Sequence, residues 1–316
     1  MAITENGKDG SPKVVTQEIS FFGHNVVIEI DRSGFGISIL DRLEKPEDFV
    51  GPSNYDTVVN FGSMCVEEGM RDYVVSESER WSAENPPPGG ITILGFNDPA
   101  VQSWVDEIAE IAKVDFCGDE SARERYYELN KNIFLAIAES SGMSSEELQD
   151  AAFLGLVRAG AVAGEMLGIS VADQLLIQTK RLHIKGESEG DISIGISQQN
   201  PEQLASIDSR VWLIADPAGA TLSSIEAVLI NLLEQGVRPS KVVIWNTVIS
   251  HKGAEFALNA IRSLGVEVEI VAGGYSSAMN KNYYLETPDG TPSVRDAGDA
   301  LNYALPEEMR LYKNTN

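Results

Sequence analysis

Cysteine, histidine and positive charge are all scarce in this sequence. Two cysteines in 316 residues, Cys65 and Cys117, make neither a disulfide framework nor a metal cluster, and a reduced cytoplasmic setting is the expectation. Long apolar runs are missing as well. No stretch is long enough to span a bilayer, and the first residues carry no basic-then-apolar signal. Lys and Arg number 24 against 48 Asp and Glu, giving a formal charge of −24. A chain with so little basic surface is not expected to bind nucleic acid or an anionic membrane, whose phosphates require it. The simplest reading of the excess acid is a solubilising surface. Of the three histidines, His183 and His251 have no nucleophile or carboxylate at usable spacing and read as structural or surface residues.

What is present divides at the break NPPPGG, residues 85–90, which continues neither helix nor strand. Residues 1–90 form a β-rich front region. VVTQEISFF and VVIEI flank Gly23-His24-Asn25 as a hairpin, and FGISIL and TVVNFG read as further strands. Residues 91–316 form the main domain. After ITILGF, helical periodicity runs from Val101 and again from Ala122, and Ser144 or Ser145 caps a third helix with Glu146 and Glu147 in its first turn. From Ala151 onward, short apolar runs alternate with helical patterns: AFLGLV, QLLIQT, VWLIAD, KVVIWNTV and VEVEIVAGG. That alternation predicts an α/β fold, an open and mainly parallel sheet flanked by helices, with the β-rich region in front of it.

One junction in this series is unusual. IADPAGATLSS, residues 214–224, runs from strand through polar loop into helix. Asp216 falls at the carboxyl end of its strand, where ligands bind in open α/β sheets. A carboxylate there can accept from sugar hydroxyls or help hold magnesium, while Thr221, Ser223 and Ser224 with their amides can cradle a phosphate. The alternative is an ordinary Asp-Pro turn followed by a serine helix cap.

Taken together, four segments resemble the type I phosphoribosyltransferases, and among them the uracil phosphoribosyltransferases most closely. The family's phosphoribosyl pyrophosphate loop, Asp-Pro-x-x-Ala-Thr-Gly-Gly-Ser, is similar to Asp216, Pro217, Ala218, Gly219, Ala220, Thr221, Leu222, Ser223 and Ser224. VRAG at 157–160 resembles its Leu-Arg-Ala-Gly turn, SHKGAEFAL from Ser250 its Pro-Glu-Gly element, and DAGDAL at 296–301 its Gly-Asp-Ala-Gly-Asp-Arg tail. The resemblance covers roughly residues 120–305 and implies a phosphoribosyltransferase-like fold. By that resemblance Asp216 holds the ribose hydroxyls, and residues 220–224 (Ala220, Thr221, Leu222, Ser223, Ser224) hold the 5′-phosphate. Arg158 with the amides of Ala159 and Gly160 holds pyrophosphate, and Tyr284 and Asp296 face the base. Lys180 and Arg181, after QLLIQT, either reach a phosphate or are ordinary exposed basic residues.

The resemblance further implies a transferase of nucleotide metabolism, in the manner of pyrimidine salvage. Ribose 5-phosphate would pass from phosphoribosyl pyrophosphate to uracil or a related base, with pyrophosphate released. Mg2+ would be held mainly by the substrate, and the protein would be a homodimer. The sequence also departs from the pattern. The two loop glycines are Leu222 and Ser223, and a left-handed backbone would strain the leucine. The base loop is longer, Arg295 replaces a glycine, and Gly274 and Tyr275 stand where the family has an acidic residue. These departures suggest a base other than uracil. They also motivate the alternative of a non-catalytic regulatory protein that binds a phosphoribosyl ligand.

Overall fold

The computed structural model describes residues 14–21, 24–31, 57–60, 73–113, 119–157, 159–182, 193–198, 201–280, 285–286, 290, 292–294, 301 and 304. The front region supplies β1 (Val14–Phe21), β2 (His24–Asp31), β3 (Thr57–Asn60) and the short β4 (Tyr73–Val74). β1 and β2 form the expected hairpin, closing at Phe21 opposite His24, so that His24 and Asn25 belong to β2. The strand expected at FGISIL lies outside the described residues.

β5 (Ile91–Ile93) leads through a 3-10 turn into α1 (Pro99–Ala112). Proline stands at the first helical position of α1, and the Asp98 carboxylate accepts from the Ala100 amide at 2.9 Å. α2 (Glu120–Ser140) is capped in the same way by Asp119. Ser144 caps α3 (Ser145–Asp150) in a reciprocal box with Glu147.

The alternating segments then follow as β6 (Ala152–Val157), α4 (Ala159–Met166), β7 (Leu175–Leu182), β8 (Ser193–Gln198), α5 (Leu204–Ile207), β9 (Val211–Gly219), α6 (Ser223–Glu234), β10 (Lys241–Ser250), α7 (His251–Ser263) and β11 (Val268–Ser276). β12 (Ala278–Met279), β13 (Leu285–Glu286) and β14 (Pro292–Val294) complete the strands.

The main sheet has the order β1-β2-β3-β8-β7-β6-β9-β10-β11-β5. Six consecutive strands, from β7 to β5, are parallel; β1, β2, β3 and β8 are joined to one another and to β7 antiparallel. The protein is thus of the α/β class, with an open, mainly parallel sheet flanked by helices. The front strands extend this sheet, and β1 comes to lie against α7. β14-β13-β12-β4 form a separate small sheet, in which the antiparallel β4–β12 pair joins the front region to the segment after β11.

Strand alternation explains the two hydrophobic layers. On one face Ile177, Trp212, Ile214, Val242, Ile244 and Ile270 pack under α6 and α7. On the other Phe153, Leu213, Ala215, Val243, Trp245 and Val271 pack under α1, α2 and α4. Covered on both faces, the parallel strands have no polar side to show, which is why they read as nearly continuous apolar runs.

Candidate functional site

The connections β6–α4, β9–α6 and β10–α7 all turn at the carboxyl edge of the sheet, so three helix N-termini open there. Each directs the positive end of its dipole to that edge. Two local devices let the helices come close. A Cβ on Gly160, in α4, would stand 2.9 Å from the Ala215 carbonyl of β9, so only glycine fits. Gly253, in α7, lies so close to the Ala220 carbonyl and the Ser250 hydroxyl that a Cβ there would collide with both.

The segment 216–224 sits between these helices. The expected loop is shorter than the sequence suggests: β9 runs on through Gly219, still in register with β10, leaving residues 220–222 as the turn. Asp216 is half-buried, and its Oδ1 accepts from the Ala218 amide at 3.2 Å. Burial pushes its carboxyl up to about 6, opposed only by that amide. The Asp216 carbonyl accepts from Asn246 Nδ2 at 2.7 Å, and the Ala220 carbonyl from the Ser250 hydroxyl. Ser250 Oγ in turn accepts from the Gly253 amide at 2.8 Å, capping α7.

Leu222 is the feature that the sequence comparison raised. It has φ 58° and ψ 8°, left-handed, immediately before α6, and its side chain is buried. Leu222 itself offers α6 no capping side chain, and the Ser223 amide at the start of the helix reaches Thr221 Oγ1 at 3.4 Å. Thr221 and Ser223 are buried and share a hydrogen bond of 2.8 Å between their hydroxyls; Ser224 is half-buried. Ala159 is half-buried at the start of α4.

Several expected site residues fall elsewhere. Arg158, Tyr284 and Asp296 lie outside the described residues, as does His183. Lys180 and Arg181 belong to β7, which continues past QLLIQT to Leu182; their side chains are outside the described part. No group of three or more His, Cys, Asp or Glu among the described residues is arranged to hold a metal. A cation at this turn would therefore have to be held by a phosphorylated ligand and not by a cluster of the described side chains.

Beside the cradle, at the same edge, an aromatic group covers the ends of β10 and β11. His251 is buried, stacked on Trp81 with centroids 4.1 Å apart, and its Nε2 is 3.6 Å from Glu255 Oε1. Tyr275 lies 5.5 Å from Trp81 and 5.4 Å, edge-on, from Phe96. The Tyr73 hydroxyl accepts from the Lys252 amide at 3.2 Å and bonds Ser250. Sequence reasoning singled out residues 216–224 but not Asn246, Tyr73 or Trp81, which pack at the same edge. For Asn246 the signal was available, as an amide inside the apolar run KVVIWNTV. A cavity of about 370 Å³ lies at the opposite edge of the sheet, lined by Gly90, Thr92, Lys241, Arg262 and Glu269 among others, and is no part of the cradle.

No family model and no curated protein matches the chain. Among solved structures it is similar to the AQ2163 protein from Aquifex aeolicus, with 19% identity over 67% of this chain and 97% of that one, at a TM-score of 0.46. Adenine phosphoribosyltransferase from Trypanosoma brucei, in complex with AMP, pyrophosphate and ribose 5-phosphate, is similar at 11% identity over 57% and 82% of the two chains, TM-score 0.38. Orotate phosphoribosyltransferase from Mycobacterium tuberculosis, in complex with phosphoribosyl pyrophosphate, gives 11%, 57% and 92%, TM-score 0.33. No helix among the described residues is long and apolar enough to cross a membrane.

Proposed function

We propose that the chain is a phosphoribosyltransferase-like enzyme that moves ribose 5-phosphate from phosphoribosyl pyrophosphate to a nitrogen heterocycle, uracil or a more specialised base. The observation that carries this reading is Leu222, left-handed at the turn where the resembled loop has glycine. Backbone of this kind persists only where the surrounding structure holds it, and here it stands at the N-terminus of α6, in the turn that follows Asp216 and the end of β9.

In the reaction, the C1–O bond to pyrophosphate loosens, charge develops on the ribose ring, and the heterocycle nitrogen bonds to C1 as pyrophosphate leaves. The protein's part is positioning and charge stabilisation. Asp216 orients the ribose hydroxyls, and residues 220–224, chiefly Thr221, Ser223 and Ser224 with their amides, take the 5′-phosphate. Arg158 with Ala159 and Gly160 takes pyrophosphate, and Tyr284 and Asp296 face the acceptor. Lys180 and Arg181 stand as further phosphate contacts. Mg2+, held chiefly by the substrate, would offset the diphosphate charge in a chain with little positive charge of its own. A cytoplasmic homodimer in nucleotide metabolism, of the pyrimidine-salvage type, is the setting this implies. The cradle falls within residues 91–316, the phosphoribosyltransferase-like domain, with residues 1–90 as an N-terminal β-rich region whose strands β1, β2 and β3 extend the same sheet.

The test is pyrophosphate release from magnesium phosphoribosyl pyrophosphate with uracil and then a panel of heterocycles. Release that depends on the acceptor and is lost in Asp216→Ala is expected. A second reading, a regulatory protein that binds the ligand without chemistry, is favoured by the Thr221 and Ser223 hydroxyls, which are buried and bonded to each other. Thermal stabilisation by the same ligand without release would select it.

A further inference from the structure

Asn246 lies inside β10, wholly buried, in register with Asp216 of β9. Its Nδ2 donates to the Asp216 carbonyl, while its Oδ1 is buried with no hydrogen-bond partner. An amide half-used in an apolar strand is costly to keep, so its placement calls for a reason.

Pro217 supplies the context. It falls between the paired positions Asp216 and Ala218, at a point where the register with β10 skips a partner, and it has no N–H to offer. β9 therefore loses backbone hold just beyond Asp216, and the Asn246 side chain grips the strand at that point. Gly219 makes the grip sterically possible: a Cβ there would stand 2.9 Å from Asn246 Nδ2 and 3.1 Å from its Oδ1. Four residues further along β10, Ser250 holds the Ala220 carbonyl. The neighbouring Thr247 is turned to the other side, where its hydroxyl donates to Asn130 of α2 at 2.6 Å.

We infer that Asn246 is a positioning residue for Asp216, and that with Ser250 it forms a two-point side-chain clamp from β10 that fixes residues 216–220 in the geometry that receives the ribose. This rests on the phosphoribosyl reading for its purpose, though the clamp itself is a property of the unliganded protein. The clamp also holds the half-buried carboxylate of Asp216 where burial raises its titration, on which no other ionisable group among the described residues acts.

The experiment follows the Asp216 carboxyl carbon by NMR through a pH titration, in wild type, Asn246→Ser and Gly219→Ala. The same three proteins are titrated calorimetrically with magnesium phosphoribosyl pyrophosphate. Gly219→Ala displaces the amide without removing it, so it keeps the test alive if Asn246→Ser fails to fold. Thr247→Val is the structural control, removing a buried hydrogen bond of the same strand that faces away from Asp216. The expected result is a wild-type midpoint near pH 6. Both clamp variants fall towards the ordinary carboxylate range and bind the ligand about tenfold more weakly, while Thr247→Val titrates as wild type. If wild type binds no ligand but the midpoint still falls in the clamp variants, the clamp stands and the phosphoribosyl reading fails. If wild type binds and neither midpoint nor affinity moves, the clamp is overturned and that reading survives.

Discussion

Leu222 combines a left-handed backbone with a buried side chain, and the two effects oppose each other. The backbone costs about 1–2 kcal/mol for an L-residue. Burying a leucine is worth more, since truncation to alanine in a core costs about 2–5 kcal/mol. Leu222→Gly relieves the strain but loses the packing and adds chain entropy, so urea unfolding should show a net destabilisation of about 2 kcal/mol. Asp216 makes a second prediction. Its folded pKa, about 6, lies above the ordinary 3.8, so the folded state holds the proton more tightly. Stability therefore falls as pH rises from about 4 to about 6 and is level above that. Asp216→Asn removes this slope and should be more stable than wild type at pH 8, on the order of 2 kcal/mol, with no difference at pH 3.5. The strain at Leu222 was legible because the resembled loop has glycine there. The desolvation of Asp216 was not, since it depends on neighbours from β10 and the helix ends.

Among the elements, α6 carries an unexplained expense. Glu226 is buried in its first turn, both carboxylate oxygens lack a hydrogen-bond partner, and burial holds its pKa well above the usual range. The sign is as for Asp216: the unfolded chain releases the proton near its ordinary value while the folded chain retains it, so stability falls as pH rises through and beyond 4.5. Glu226→Gln does not titrate. Its melting temperature should match wild type near pH 4 and exceed it by a growing margin up to pH 8, at about 2 °C per kcal/mol, as scanning calorimetry would show. The elements themselves were largely legible. Ser144 announces its helix start through local chemistry, the helices read from Val101 and Ala122 begin two residues earlier behind the caps Asp98 and Asp119, and the five apolar runs became β6, β7, β9, β10 and β11. The end of β9 was misread because Asp-Pro-Ala-Gly has the composition of a turn, whereas pairing with β10 and the Asn246 side chain keeps it extended to Gly219.

On the scale of the whole molecule, a sheet covered on both faces carries the proposed site at its carboxyl edge, while the acidic surface faces solvent. With a formal charge of −24, self-repulsion opposes the compact state. The urea midpoint at pH 7.5 should therefore rise between low salt and 0.5 M NaCl, where the Debye length is below about 8 Å. The sequence pattern foretold the parallel core but not the joining of β3 to β8, or β1 lying against α7, because such long-range contacts leave no local periodicity. It also could not show Trp81 stacked on His251, which brings the front region to the edge that holds the cradle.

The most direct measurement of the central claim is an amide NMR titration with ribose 5-phosphate, following Thr221, Leu222, Ser223 and Ser224. The account predicts saturable shifts concentrated on those four amides in wild type, at lower affinity in Asp216→Ala. Unmoved amides at 221–224, with shifts elsewhere or none, would contradict it.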